Sequence, residues 1–153
     1  MERDACDASH LGAANIVFSG ILNTNGKIGD LLINSNNQFD FIAPEFLRLE
    51  IKNKYDKLQQ ISGLSIAEIQ EAEFHIYQNI RFISEEQIAD ASWKKAFKLV
   101  FEIDEKDIHY VAYAHFFKCK LWSGDKALMK GLEKKGFKKI ISTDGLFQLR
   151  KLK

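Results

Sequence analysis

Glu50, Asp104, Asp107 and Asp125 are the residues of this chain whose type and setting could hold a metal ion. Carboxylates placed close together raise one another's pKa, so a cluster of them persists when a cation sits among them. Magnesium and manganese take oxygen ligands, usually a few carboxylates together with waters and substrate phosphate. Such a centre can activate a water and stabilise the leaving oxygen of a phosphodiester. That chemistry asks for three or four acids at adjacent strand ends. Asp125 has the right local setting: the apolar run Leu121-Trp122 stops at Ser123-Gly124-Asp125, and a helical pattern starts at Lys126. In an open parallel sheet, ligands bind outside the carboxyl ends of the strands, where this turn falls.

Each acid also has a purely structural reading. Asp is a preferred N-cap residue, so Asp104, Asp107 and Asp125 can each simply cap the helix that follows. Glu50 lies beside Ile51 on a helical pattern, where an isolated Glu is usually solvated. The two readings differ in whether the elements bring the four together.

The elements alternate. Residues 38–43 read as a buried strand stopped by Pro44, which is tolerated in the first turn of a helix over 45–59. Ser62-Gly63 breaks that helix, and Ser65 with Glu68 makes a capping box for the next. Residues 80–83 read as a short strand. Ser84 is positioned to cap a helix over 85–100. An apolar helix is expected over 107–118, a strand over 119–122, a helix over 126–135 stopped by Gly136, a strand over 139–141 and a last short helix over 142–149. Upstream, Asn23-Thr24-Asn25-Gly26 is a turn signal, and Ile28, Leu31, Leu32 and Ile33 suggest a short helix. Strands alternating with helices predict an α/β fold, a three-layer α/β/α sandwich around a central parallel sheet. The helical middle, 65–100, exceeds what a crossover needs and predicts a helical arm.

With 153 residues, 46% of them apolar and 28% charged, the chain is expected to form a single domain over 1–153, with 1–14 irregular. A net charge of +1 gives no global field for nucleic acid or an anionic membrane, so any RNA surface must be local. Cys6 and Cys119 form no CxxC pair, which removes zinc and thioredoxin-like readings. No apolar run reaches the roughly 18 residues that span a bilayer. The first twenty residues lack the pattern of a secretory signal, so a cytoplasmic location is expected. His10, His75, His109 and His115 lack ligand spacing and read as structural. Lys126, Lys130, Lys134, Lys135, Lys138 and Lys139 make a basic patch beside Asp125, which reads equally as a solvated face or as a phosphate contact. No glycine-rich dinucleotide or nucleotide-triphosphate motif occurs.

Three stretches together resemble the PIN-domain family, small nucleases that include many toxins of toxin–antitoxin pairs. Phe41-Ile42-Ala43-Pro44-Glu45-Phe46-Leu47-Arg48-Leu49-Glu50 resembles the family's second strand and helix, and Glu50 falls on its acid. Ile103-Asp104-Glu105-Lys106-Asp107-Ile108-His109-Tyr110-Val111-Ala112 resembles its acid-led helix, with Asp107 in the main place and Asp104 accessory. Leu121-Trp122-Ser123-Gly124-Asp125 resembles its signature turn. The family opens with an apolar strand ending in Asp-x-Asn. Here Asn15 matches the Asn, and Ala13 stands where the first metal-binding Asp belongs. A rival register puts Asp7 at the acid, reading Asp7-Ala8-Ser9 as Asp-x-Ser, but it loses the Asn.

The resemblance implies Mg²⁺- or Mn²⁺-dependent hydrolysis of RNA. Glu50, Asp107 and Asp125 are the implied catalytic metal ligands, Asp104 supports them, and Asn15 and Ser123 orient ligands or phosphate. It implies RNA as substrate, an antitoxin protein or a homodimer as partner, and no membrane. The alanine at position 13 implies an impaired centre, or a degenerate, non-catalytic PIN domain that binds RNA or protein.

Overall fold

The computed structural model describes residues 9–35 and 37–152. Strands β1 (Ser9–Gly12), β2 (Asp40–Pro44), β3 (Ile80–Ile83), β4 (Lys120–Trp122) and β5 (Ile140–Ile141) form one parallel sheet in the order β3-β2-β1-β4-β5. Leu11 on β1 pairs with Ile42 on one side and Leu121 on the other, and all three side chains are buried. The chain builds outward from β1 through β2 to β3, then returns to the opposite side of β1 with β4. The strand order therefore reverses at the β1–β4 seam, the place where open α/β sheets keep their ligand crevices.

Nine α-helices are found among the described residues. They are α1 (Ala14–Leu22), α2 (Lys27–Asn34), α3 (Phe46–Lys52), α4 (Tyr55–Ser62), α5 (Ile66–Tyr77), α6 (Asp90–Val100), α7 (Ile108–Phe117), α8 (Lys126–Lys134) and α9 (Thr143–Lys151). Helix α7 lies across β1, β2 and β4 and packs along α6, while α1 gathers α2, α3, α4 and α5 around it. This is the α/β/α sandwich that the alternation predicts. Residues 110–114 are buried, and α7 is apolar around its whole girth because it is sandwiched between α6 and the sheet. The capping box at Ser65 and Glu68 is formed, and Gly136 takes the left-handed conformation (φ 86°) that ends α8.

Four expectations need correction. Residues 1–14 are expected to be irregular, yet Ser9–Gly12 is the central strand. Its strand character comes from ladders on both edges, and four residues are too few for a pattern to show. Pro44 ends β2 and does not open a helix; the ladder continues past it through Glu45 N, which donates to Ile83 O (3.1 Å). The helix over 45–59 is two helices, parted at Asn53 and Lys54, and Asn competes poorly for helix interiors. The helix over 85–100 is a 3₁₀ turn at Glu85–Gln87 and then α6, because Ile88 extends (φ −88°, ψ 124°) to bury its side chain. The long helical middle is divided by β3, with α5 packed on α1 and α6 on α7.

Candidate active site

The β1–β4 seam is tied together at its carboxyl end by the chain itself. Ala13 N donates to Trp122 O at 3.2 Å, so the residue after β1 sits on the last residue of β4. Ala13 is extended (φ −80°, ψ 162°), occupies the N-cap of α1 without a capping side chain, and has its methyl buried. Two residues on, Asn15 Nδ2 donates to Ser123 Oγ at 3.4 Å across the seam. Ser123 is buried, and its Oγ also accepts from Asp125 N (3.0 Å). The turn after β4 is thus locked by one hydroxyl that both anchors its own backbone and receives the Asn15 amide.

Asp125 caps α8: its Oδ1 accepts from Leu128 N at 3.0 Å. The structural reading of this acid is realised, and it uses one carboxylate oxygen. Asp104 folds back on its own turn, with Oδ1 accepting from Lys106 N (3.0 Å). That turn is seated by a close approach. A Cβ on Gly131 would lie 2.6 Å from Ile103 Cδ1, so the bare glycine of α8 admits Ile103 and fixes the segment leading to Asp104. Asp107 stands at the N-cap of α7 but makes no capping hydrogen bond with its side chain, so the cap reading fails for it.

Asp107 feels the charge of the other three acids. Burial pushes its carboxyl up to about 6, and the charges of Asp104, Asp125 and Glu50 push the same way, against Lys106. One carboxyl that senses three others, drawn from α3, the loop before α7 and the β4–α8 turn, is the electrostatic signature of a crowded anionic centre. Glu50 reaches it from α3 and is held there by Tyr110, whose hydroxyl donates to Glu50 Oε1. Burial and this hydrogen bond keep the Tyr110 phenol protonated well above its usual range. Tyr110 was not picked out by sequence reasoning. The available signal was its place three residues after Asp107, on the same face of the helix.

The donors gathered here are carboxylate oxygens, with a hydroxyl and a side-chain amide beside them. That chemistry fits a hard divalent cation. Among the described residues, no group of three or more His, Cys, Asp or Glu side chains is arranged to hold a metal ion. The acids share a field without closing into a ligand shell. A cavity of about 500 Å³ lies elsewhere, between α1, α2 and α5, and none of the four acids lines it. His109 and His115 are structural: His109 stacks on Phe46 (centroids 4.3 Å apart), and His115 Nδ1 bonds Ser92 Oγ at 2.9 Å. Asp7 and Cys6 lie outside the described residues; Cys119 is buried.

A parallel α/β/α sheet with an oxygen-rich site at its switch point defines the class of this protein. The sequence model of the PIN domain matches residues 13–144, most of the chain, so the protein belongs to the PIN-domain family. Members of that family are generally nucleases that bind RNA and depend on a divalent cation. The match begins at Ala13, the residue tied to Trp122. No curated protein matches the chain. Among the described residues, no helix is long and apolar enough to cross a membrane.

Proposed function

We propose that this protein is a divalent-metal-dependent ribonuclease whose centre is Asp107, with Glu50 and Asp125 as its companions and Asp104 in support. The carrying observation is the elevated Asp107 carboxyl, raised by burial and by all three other acids. Mutual repulsion of this kind is relieved by a cation, which is why it supports a metal site over four independent caps. Glu50, Asp107 and Asp125 would hold Mg²⁺ or Mn²⁺ through their oxygens. When bound, the ion would supply an activated water and charge stabilisation at phosphorus.

The chain's own groups do the rest. Tyr110 fixes the Glu50 carboxylate by donating to one of its oxygens. Leu128 N does the same for Asp125. Ser123 Oγ and the Asn15 amide sit between the ends of β1 and β4 and orient a phosphate or a ligand there. Asp107, free of capping duty, carries the adjustable charge.

Ala13 supports a second reading, a PIN domain that binds RNA or protein without cutting it. Its buried methyl occupies the β1 end where the family resemblance expects an acid, and the retained oxygens of Glu50 and Asp125 are partly engaged by the protein. Incubating the protein with single-stranded RNA and Mn²⁺, with and without EDTA, separates the two. Metal-dependent cleavage, increased by Ala13→Asp, supports the nuclease; binding without cleavage in both forms supports the module. The first reading extends to a cytoplasmic toxin held by a small antitoxin, and an adjacent reading frame for a small protein is the observation that would carry that pairing.

A further inference from the structure

Helix α6 and the start of α7 leave an open, almost wholly apolar groove of about 430 Å³, lined by Trp93, Phe97 and Ile108 with Lys94 and Lys98. Ile108 is bonded directly to Asp107, so one wall residue of the groove adjoins the acid-led start of α7. Its walls are rigid on one side. The Trp93 ring stands at right angles to His109 (5.1 Å, 86°) and to Tyr113 (6.3 Å, 88°). Phe97 is the free side: it is 48% exposed, and Phe101, 5.5 Å away and 56% exposed, continues the aromatic strip.

Charge decides what such a groove takes. Lys94 and Lys98 are exposed, and Lys135 Nζ donates to Lys98 O (3.1 Å), which brings a third ammonium to the same end of α6. Across Trp93 the sign reverses, for the neighbouring hollow is lined by Glu85, Glu86 and Asp90 together with His109. A polyanion is therefore drawn to the Phe97 side and repelled from the other. Aromatic faces flanked by lysines are how proteins bind unpaired bases, with the bases stacking and the cations following the backbone. The volume also suits a small planar group.

We propose that this groove is a subsite for an unpaired base of single-stranded RNA, stacked on Phe97 against Trp93, with the flanking phosphates on Lys94 and Lys98. The proposal rests on the nuclease reading for its choice of polymer. It places the strand so that its backbone runs from the lysines toward Asp107.

The test needs no metal and no turnover. The chain has two tryptophans, and Trp122 is fully buried, so quenching of tryptophan fluorescence by a stacked base reports on Trp93. The wild-type protein is titrated in EDTA with a short single-stranded oligoadenylate. Saturable quenching is expected, and an RNA duplex should give none. Phe97→Ala should weaken binding about tenfold, the usual cost of removing one stacking ring. Replacing Lys94 and Lys98 with serine should reduce the slope of log affinity against log salt by about 1.4. Unaltered affinity in Phe97→Ala, with circular dichroism and Tm confirming its fold, overturns the proposal. So does quenching by an acidic amphipathic peptide but not by RNA, which would assign the groove to a protein partner. Metal-dependent cleavage that is indifferent to Phe97 removes the subsite and leaves the nuclease. Groove-dependent binding without cleavage removes the nuclease and leaves the subsite.

Discussion

The Tyr110 hydroxyl donates to Glu50 Oε1, joining the acid of α3 to the acid-led helix across 60 positions of sequence. Tyr110 is one turn beyond Asp107, so the same face of α7 carries the crowded carboxyl and the group that orients its neighbour. The ring is 2% exposed, and its phenol stays protonated because burial and Glu50 both disfavour the phenolate.

Tyr110→Phe should therefore cost about 1.5–3 kcal/mol of stability, the worth of a hydrogen bond to a charged group. It should also weaken Mn²⁺ binding about tenfold, the usual effect of losing a partner behind a metal ligand. Calorimetric titration with Mn²⁺ and a denaturant melt read the two effects separately. Loss of stability with unchanged Mn²⁺ affinity would leave Tyr110 as a packing residue only.

Asp107 makes stability depend on pH in an unusual direction. Burial and the neighbouring acids push its folded carboxyl up to about 6, against 3.8 for an ordinary aspartate. Between about pH 4 and pH 6 the native state holds more proton than the unfolded chain, so stability falls as pH rises through that window. After allowance for solvent screening the loss is about 1 kcal/mol. Asp107→Asn should be flat over the same window and more stable than wild type at neutral pH without metal. Urea melts at several pH values in EDTA check this. Adding Mg²⁺ at pH 7.5 should restore stability to the wild type and do nothing for Asp107→Asn.

Asp125 serves two readings that one pair of variants can part. Asp125→Ala removes the acceptor for Leu128 N and should cost about 1 kcal/mol. Asp125→Asn keeps that acceptor and removes the charge. Its Tm should match the wild type while Mn²⁺ binding falls. Equal Mn²⁺ affinity in wild type and Asp125→Asn would leave Asp125 a cap and nothing more.

Much of this site was legible in the sequence because its parts are local. The Ser123-Gly124-Asp125 turn follows an apolar run and precedes a helical pattern, and the structure builds a strand, a locked turn and a capped helix there. Asp107 could be placed at a helix start but not told from a cap, since both settings look alike until the side chain's partners are seen. The burden that falls on it comes first from its burial and then from the charges of Asp104, Asp125 and Glu50. Glu50 showed nothing locally; only the shared family pattern pointed to it, and its partner Tyr110 reads as one more apolar residue of α7. β1 was invisible for a different reason. Four residues are too few to carry a periodicity, and the strand exists because two neighbours supply its ladders.

The break in the helix over 45–59 and the extended Ile88 share a cause. In each, a tertiary demand, a change of direction or the burial of one side chain, outweighs a helical pattern that the residues otherwise sustain.

Cleavage of single-stranded RNA by the wild type and by Ala13→Asp, in Mn²⁺ with and without EDTA, tests the central claim most directly. The carboxylate would enter at the residue whose amide is tied to Trp122 O, at the carboxyl end of the β1–β4 seam. A metal-dependent ribonuclease gives cleavage that needs the metal, rises at least tenfold in Ala13→Asp and disappears in Asp107→Asn. An absence of cleavage in both wild type and Ala13→Asp, with both folded, would contradict it.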